Sequence, residues 1–306
     1  MKDKIFTIII PTKNRQKDLE FTLKKMNVLL VNENVHCIIC DDGSTDGTFE
    51  FIKNNYPNID IIRNEKTKGI HYTRNILLDR VNTPYVLCVD DDVHFITLDI
   101  LNIIEDYFNE NKRCAVIGFR IFWSLLNPDS IISDESKQKV KSFGAGACAF
   151  RMLAIREIPK FPEWFVFYGE EDFASIHLIK RKWEIHYNPS ILVHHRVDNK
   201  ARKAHSDYTT RLRRSLRSGW YLYFLFFPLS KISRRFLYTL SIQMKNKVFK
   251  GDLRAVIAIS LAIFDLIVNM PRLIKYSNRL TSKEFENYIN LPNAKLYWKP
   301  KKPNIE

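Results

Sequence analysis

No secretory signal opens this 306-residue chain, and no glycine-rich G-x-G-x-x-G turn follows its first apolar run. Met1–Lys4 leads directly into a strand-like segment, which leaves no room for a targeting segment and predicts a cytoplasmic protein. Pro11–Arg15 stands where a dinucleotide-binding loop would sit, which argues against an oxidoreductase of that kind. The same segment lacks the glycine-rich triphosphate loop of nucleotidyltransferases. Long apolar runs are missing too. The longest, Ala255–Met270, has 16 residues broken by Asp265 and Asn269, against about 20 for a spanning helix. Zinc-ligand spacing, an RNP-like aromatic strand and a helix-turn-helix signature are all absent, which disfavours a nucleic-acid-binding protein. Cysteine is scarce: five residues, at 37, 40, 88, 114 and 148, all in apolar or small-residue surroundings. Cys37 and Cys40 have redox-motif spacing, yet positions three apart on a strand face opposite ways, so core filling is expected. Reduced cysteines suit the cytoplasm.

The chain is long enough to bury one large core, or a catalytic domain with an appendage. Its net charge of +14 is unevenly placed. Residues 201–306 hold 21 Lys/Arg against 6 Asp/Glu, a surplus of +15, which leaves 27 against 28, or −1, for residues 1–200. A near-neutral unit, residues 1–204, is thus joined to a basic one, residues 205–306. In the latter, Arg211, Arg213, Arg214 and Arg217 precede the aromatic run Trp220–Phe227, and Lys231, Arg234 and Arg235 follow it. Such basic, aromatic helices are expected to lie in a membrane interface rather than cross it. The competing reading is that they pack on the catalytic domain or on a second subunit.

Strand and helix patterns alternate from the start. Phe6–Ile10 reads as a buried strand stopped by Pro11, after which Leu19, Leu23, Met26 and Leu30 recur at helical spacing. Val35–Cys40 is a second strand, followed by the turn-rich Asp41–Gly47 and a helix over Thr48–Asn54. Ile59–Arg63, a helix over 70–81 and the strand Tyr85–Val89 continue the series, which predicts a doubly wound, mostly parallel sheet. Beyond it we expect a helix over about 98–109, a strand Cys114–Phe119, a loop over 124–142 and a helix from Glu170 to about Lys182. Trp183–Tyr187 and Ile191–His195 read as two short strands joined at Asn188-Pro189. Phe143–Phe150 packs small residues, Gly144, Ala145 and Gly146 among them, where backbone approaches a ligand closely.

Three adjacent carboxylates, Asp90, Asp91 and Asp92, emerge at the C-terminal edge of the fourth strand, where open α/β sheets bind ligands. Mutual repulsion favours a cation or bound donors there, and hard divalent cations prefer oxygen ligands.

Six segments in order, covering roughly residues 5–196, resemble family 2 glycosyltransferases of the GT-A fold. They are Thr7–Arg15, Cys40–Thr48, Lys68–Asn75, Tyr85–Asp92, Phe167–Asp172 and Pro189–Arg196. The basic, aromatic tail further resembles the bacterial rhamnosyltransferase-like branch. The resemblance implies an enzyme moving a hexosyl or deoxyhexosyl group from a nucleotide-diphosphate sugar, with inversion, to a glycan or lipid-linked acceptor. It places Pro11, Thr12, Arg15, Asp41 and Asp42 at the nucleotide, Arg74 near the diphosphate, and Asp90 and Asp91 in the donor site. Asp92 and His195 would bind Mn2+ or Mg2+ as the DXD-type metal site, with Asp90 facing the ribose or a metal-bound water. His194 would point to the opposite face of its strand. Gly144, Ala145, Gly146 and Glu170 would line the sugar and acceptor pocket. Glu171 is the preferred general base because that register puts Ala174, Ile176 and Leu178 on the core face, with Asp172 close behind. The family usually shows two acids there, whereas this chain has three.

The expectation is a metal-dependent glycosyltransferase in bacterial polysaccharide biosynthesis, cytoplasmic and peripheral to the inner leaflet, with a homo-oligomer left open. The alternatives are a catalytically idle GT-A module in an assembly and, behind it, a basic nucleic-acid-binding protein.

Overall fold

Seven consecutive buried residues make Phe6–Thr12 (β1) a strand covered on both faces, which is what an unbroken β-branched run demands. The computed structural model describes residues 4–198 and 206–300. After β1 come Gln16–Lys25 (α1), Asn27–Leu30 (α2), Val35–Asp41 (β2), Thr48–Asn55 (α3), Asp60–Arg63 (β3), Ile70–Asp79 (α4) and Tyr85–Val89 (β4). Val93–Phe95 (β5), Ile100–Glu110 (α5), Cys114–Trp123 (β6), Gln138–Val140 (β7), Ala147–Arg151 (β8), Met152–Ile155 (α6), Glu170–Lys180 (α7) and Glu184–His195 (β9) complete the N-terminal part. The tail folds as Tyr208–Phe226 (α8), Leu229–Asn246 (α9), Leu253–Lys275 (α10) and Ser282–Asn290 (α11).

One sheet runs through the molecule in the order β3-β2-β1-β4-β8-β6-β9-β5, with β7 also on β9. The N-terminal half is parallel, as expected. Beyond β4 the pairings β4–β8, β6–β8, β5–β9 and β7–β9 are antiparallel, and only β6–β9 is parallel. The sheet is therefore mixed rather than mostly parallel. Hairpin partners cannot be told from crossover partners by strand pattern alone, because β4, β6, β8 and β9 are buried on both faces.

Two further expectations are revised. The two short strands around Asn188-Pro189 form one strand, β9. Its register against β6 jumps from Phe119↔Asn188 to Arg120↔Leu192, so the proline sits in a bulge and removes no ladder bond from the regular pairing. The 124–142 segment contains β7.

Alternate residues of β1 and β2 feed two cores on opposite sheet faces. Ile8, Ile10, Cys37 and Ile39 lie on one, and Ile9, Ile38 and Cys40 on the other. Cys37 and Cys40 thus face apart, and all five cysteines are buried and unbridged. A third core joins Phe165, Phe173 and Ile176 to tail residues Trp220, Tyr221, Leu225 and Phe226. The tail also hydrogen-bonds to the N-terminal part, Ser218 Oγ donating to the Phe167 carbonyl at 3.0 Å. One face of the tail therefore packs on the N-terminal part. The α10 helix is longer than its uninterrupted apolar run: its 23 residues are long and apolar enough to cross a membrane by length and composition. It buries Ala255, Ala258, Ile259, Ala262 and Leu266, while Leu253, Ile257, Phe264, Ile267 and Val268 are exposed.

Candidate active site

Because β4 ends at Val89 and the chain turns at once into β5, the triplet alternates sides. Asp90 and Asp92 converge with His195, at the end of β9, so that one ligand atom from each lies within 4.8 Å of the others. Gly146 closes this cradle: its carbonyl accepts the Asp90 N–H at 2.9 Å, and a Cβ there would stand 3.1 Å from Asp90 Oδ2 and 3.4 Å from the His195 ring. His195 Nε2 is 2.9 Å from Asp92 Oδ1, yet out of line for a hydrogen bond, so that buried oxygen has no hydrogen-bond partner. Burial would raise the Asp92 carboxyl, but His195 and Arg15 outweigh it and hold the group well below the usual carboxylate range.

Asp91 points the other way. It accepts from Thr12 Oγ1 at 2.9 Å and from Arg15 at 2.8 Å, while the same guanidinium nitrogen reaches Asp92 at 2.7 Å. Burial pushes Asp91 up to about 7 against the pull of Arg15, with Asp92 adding to the rise. Asp91 and Arg15, expected at the donor, thus brace the triplet from behind, although 41% of the Arg15 side chain is exposed.

Arg74 is paired on both sides. Its buried guanidinium donates to Asp90 at 2.9 Å, to Glu170 at 2.7 Å and to the Ala145 carbonyl at 3.3 Å. A guanidinium matched by two carboxylates orients Asp90. Glu170, expected in the sugar and acceptor pocket, belongs to the same network. It is 5% exposed, and its second oxygen meets His71 Nε2 at 2.9 Å. Burial opposes its ionisation, but His71 and Arg74 keep it below the normal range. His71 carried no role in the sequence reading. Its Nδ1 lies 3.1 Å from the Pro162 carbonyl, a long-range contact that no local spacing reveals.

The next two acids differ. Glu171 is pushed well up, first by burial and then by Glu170, with Arg74 opposing, which places it on the Arg74 side. Asp172 is raised mainly by burial, with Ser142 and Lys141 opposing the rise and Glu170 adding to it. It also faces Tyr223 and Tyr288 of the tail. The two candidates thus feel different neighbours: Arg74 acts on Glu171, and Lys141 acts on Asp172. The turn that aims them is strained. Val166 and Tyr168 adopt φ of 68°, and Gly169 follows at 87°, where a Cβ would meet the Phe165 ring and Ser218 at 3.2 Å.

At the other end, Pro11 and Thr12 close β1 opposite Cys40 and Asp41. Asp42 accepts from Asn64 Nδ2 at 2.8 Å and from the backbone N–H groups of Lys68 and Gly69 at 2.8 and 2.9 Å, so its carboxylate staples that loop. Asp41 accepts from the Ser44 N–H at 2.9 Å through one oxygen, while the other is buried without a hydrogen bond. That second oxygen lies 3.7 Å from Arg63 Nε. His194, on the opposite face from His195, is 2.8 Å from the Ser124 carbonyl. Gly144 and Ala145 back the cluster, the former against Ile121.

Residues 7–139 match the family model for glycosyl transferase family 2. A stretch of 110 residues is 32% identical to the Escherichia coli UDP-Glc:alpha-D-GlcNAc-diphosphoundecaprenol beta-1,3-glucosyltransferase WfaP, covering 36% of this chain and 43% of that protein. The matches span about half or less of the curated relatives' length. Among solved structures, the fold is similar to the mannosyltransferase PcManGT of Pyrobaculum calidifontis, in complex with GDP-Man and Mn2+. That match has a TM-score of 0.55 and 14% identity, over 89% of this chain and 76% of that one. It is also similar to Staphylococcus aureus TarS 1–349, in complex with UDP-GlcNAc, with a TM-score of 0.53 and 16% identity, over 93% and 89% of the two chains.

Proposed function

From a family 2 glycosyltransferase domain over residues 7–139, we propose an inverting, metal-dependent transfer of a sugar from a nucleotide diphosphate to a hydroxyl of a lipid-linked bacterial glycan. The observation that carries the reading is the convergence of Asp90, Asp92 and His195, with a buried Asp92 oxygen left without a hydrogen bond. Two carboxylates and an imidazole suit Mn2+, and Mg2+ less closely. Such a cation would supply charge neutralisation of the departing diphosphate.

The chain's own groups divide the remaining work. Asp41, at the end of β2 opposite Thr12, accepts from the nucleotide base or ribose. Arg74, clamped by Glu170, holds Asp90 in place. Glu171 takes the proton of the acceptor hydroxyl as that oxygen attacks the anomeric carbon and the nucleoside diphosphate leaves. Its raised affinity for protons suits a general base. Support for a lipid-linked acceptor comes from the diphosphoundecaprenol acceptor named for the E. coli relative. We retain the rhamnosyltransferase-like reading of the tail for the class of sugar. Cytoplasmic, peripheral membrane association rests on the +15 surplus in residues 201–306 and on the exposed apolar face of α10.

A thermal-shift panel of UDP, GDP and dTDP with and without Mn2+ tests the reading. At a hundredfold excess over Kd, the matching nucleotide should add about 2.7 kcal/mol of stability, in a metal-dependent way. No shift with any nucleotide in Mn2+ sinks it.

A further inference from the structure

A pair of stacked aromatic rings borders the metal cluster on the side away from the nucleotide end, and the family match does not reach one of them. Trp123 is the last residue of β6 and lies opposite His195 in the parallel β6–β9 register. Paired residues of neighbouring strands point to the same face, so Trp123 shares the face from which His195 meets Asp92. Its ring centroid is 6.0 Å from that of His195. On it lies Tyr297, with centroids 4.0 Å apart and planes 17° from parallel.

Tyr297 arrives from the far end of the chain, and the segment that brings it is firmly tied. The Trp298 N–H donates to the Ile121 carbonyl at 2.7 Å, and Trp298 bridges Phe122 in parallel. The Trp298 ring is 3% exposed and lies 4.5 Å from the Arg120 guanidinium. Lys295 pairs with Glu135, and the Pro292 carbonyl accepts the Lys141 N–H at 3.0 Å. Trp298 thus does the anchoring, while its neighbour Tyr297 stays 45% exposed.

We propose that Trp123 and Tyr297 form a platform for a pyranose ring of the acceptor. A pyranose presents a face of C–H groups, and the negative face of an aromatic π system attracts the positive edge of such bonds. Stacking leaves the sugar hydroxyls at the ring edge free. The place in the sheet selects acceptor over donor. The nucleotide end sits on β1 and β2, whereas β6 and β9 lie beyond β4 in the strand order. This inference rests on the glycosyl-transfer reading but adds a ligand site to it.

Saturation-transfer NMR on the full chain with UDP, GDP or dTDP and Mn2+ tests it. The probes are methyl glycosides of glucose, galactose, mannose, rhamnose and N-acetylglucosamine. At least one should receive saturation at its ring C–H protons. That signal should fall about three- to tenfold in Tyr297→Ala and persist in Tyr297→Phe, which keeps the ring. The nucleotide-induced thermal shift should stay the same in both variants. An equal glycoside signal in wild type and Tyr297→Ala overturns the platform, as does none for any sugar in wild type. Loss of the thermal shift along with the glycoside signal in Tyr297→Ala assigns the stack to structure alone and also overturns it. Absence of a nucleotide shift in wild type counts against the enzymatic reading, separately from the platform.

Discussion

At Gly146 the cradle formed with Asp90, Asp92 and His195 is tight, since a methyl group would stand 3.1 Å from Asp90 and 3.4 Å from the His195 ring and push one of them aside. Gly146→Ala should therefore weaken Mn2+ binding at least tenfold by titration while melting within a few degrees of wild type. Unchanged Mn2+ affinity would show that the cluster does not hold the ion. Glu170 and Glu171 are adjacent, yet their substitutions should diverge. Removing Glu170 leaves Arg74 buried with one carboxylate fewer, so Glu170→Ala should cost about 3–5 kcal/mol in urea unfolding. The fold raises Glu171, so its protonated form is the favoured one. That contribution is complete at low pH and is lost as pH climbs through the raised folded value. Glu171→Gln, a permanent neutral mimic, should then keep or gain stability at neutral pH while turnover drops about 10²–10⁴-fold. For wild type, turnover should rise with pH through a midpoint above the 4.5 of an ordinary glutamate. A midpoint at or below 4.5 would remove Glu171 as the base.

Elements show where patterns suffice and where they do not. The parallel β1–β4 run was readable because each strand is a short apolar block punctuated by Pro11, Asp41–Gly47 or the acid triplet. β9 was not, since Asn188-Pro189 reads locally as a break. Only the long β6 beside it carries the strand across the bulge. The tail helices depend on a partner buried between them. Asp265 of α10 accepts from Arg213 of α8 at 2.7 and 2.6 Å, with the Arg217 guanidinium 3.5 Å away. Asp265→Ala leaves Arg217, 9% exposed, without that charge, and should destabilise the protein by about 3–5 kcal/mol. A loss below 1 kcal/mol in denaturant titration would mean that the α8–α10 contact is held by its apolar residues alone. In the sequence, Asp265 reads merely as an interruption of an apolar run.

At the scale of the molecule, α10 is apolar on two sides and spends only one of them on the core. Phe264 is 62% and Ile267 64% exposed, on a tail that is strongly basic overall. Full-length protein should sediment with vesicles containing anionic lipid and much less with neutral ones. High salt should weaken the association, since each nearby Lys or Arg contributes about 1 kcal/mol. Phe264→Asp with Ile267→Asp should abolish sedimentation without lowering Tm, because neither side chain is buried. Sedimentation unchanged in that variant would assign this face to something other than lipid.

Local chemistry by itself determined which residues are apolar strands, where turns fall, that an acid triplet crowns β4, and that the charge is concentrated in the tail. Periodicity, turn residues and adjacent like charges act over a few residues, so they survive in a linear reading. Tertiary structure alone decided the partners. It turned half the sheet antiparallel, set Asp91 behind its neighbours, and gave Arg74 to Asp90 and Glu170. It also carried Tyr297 across 174 positions to Trp123. The reason is physical: a buried charge or ring is satisfied by whatever the folded chain brings beside it, and sequence distance places no limit on that choice.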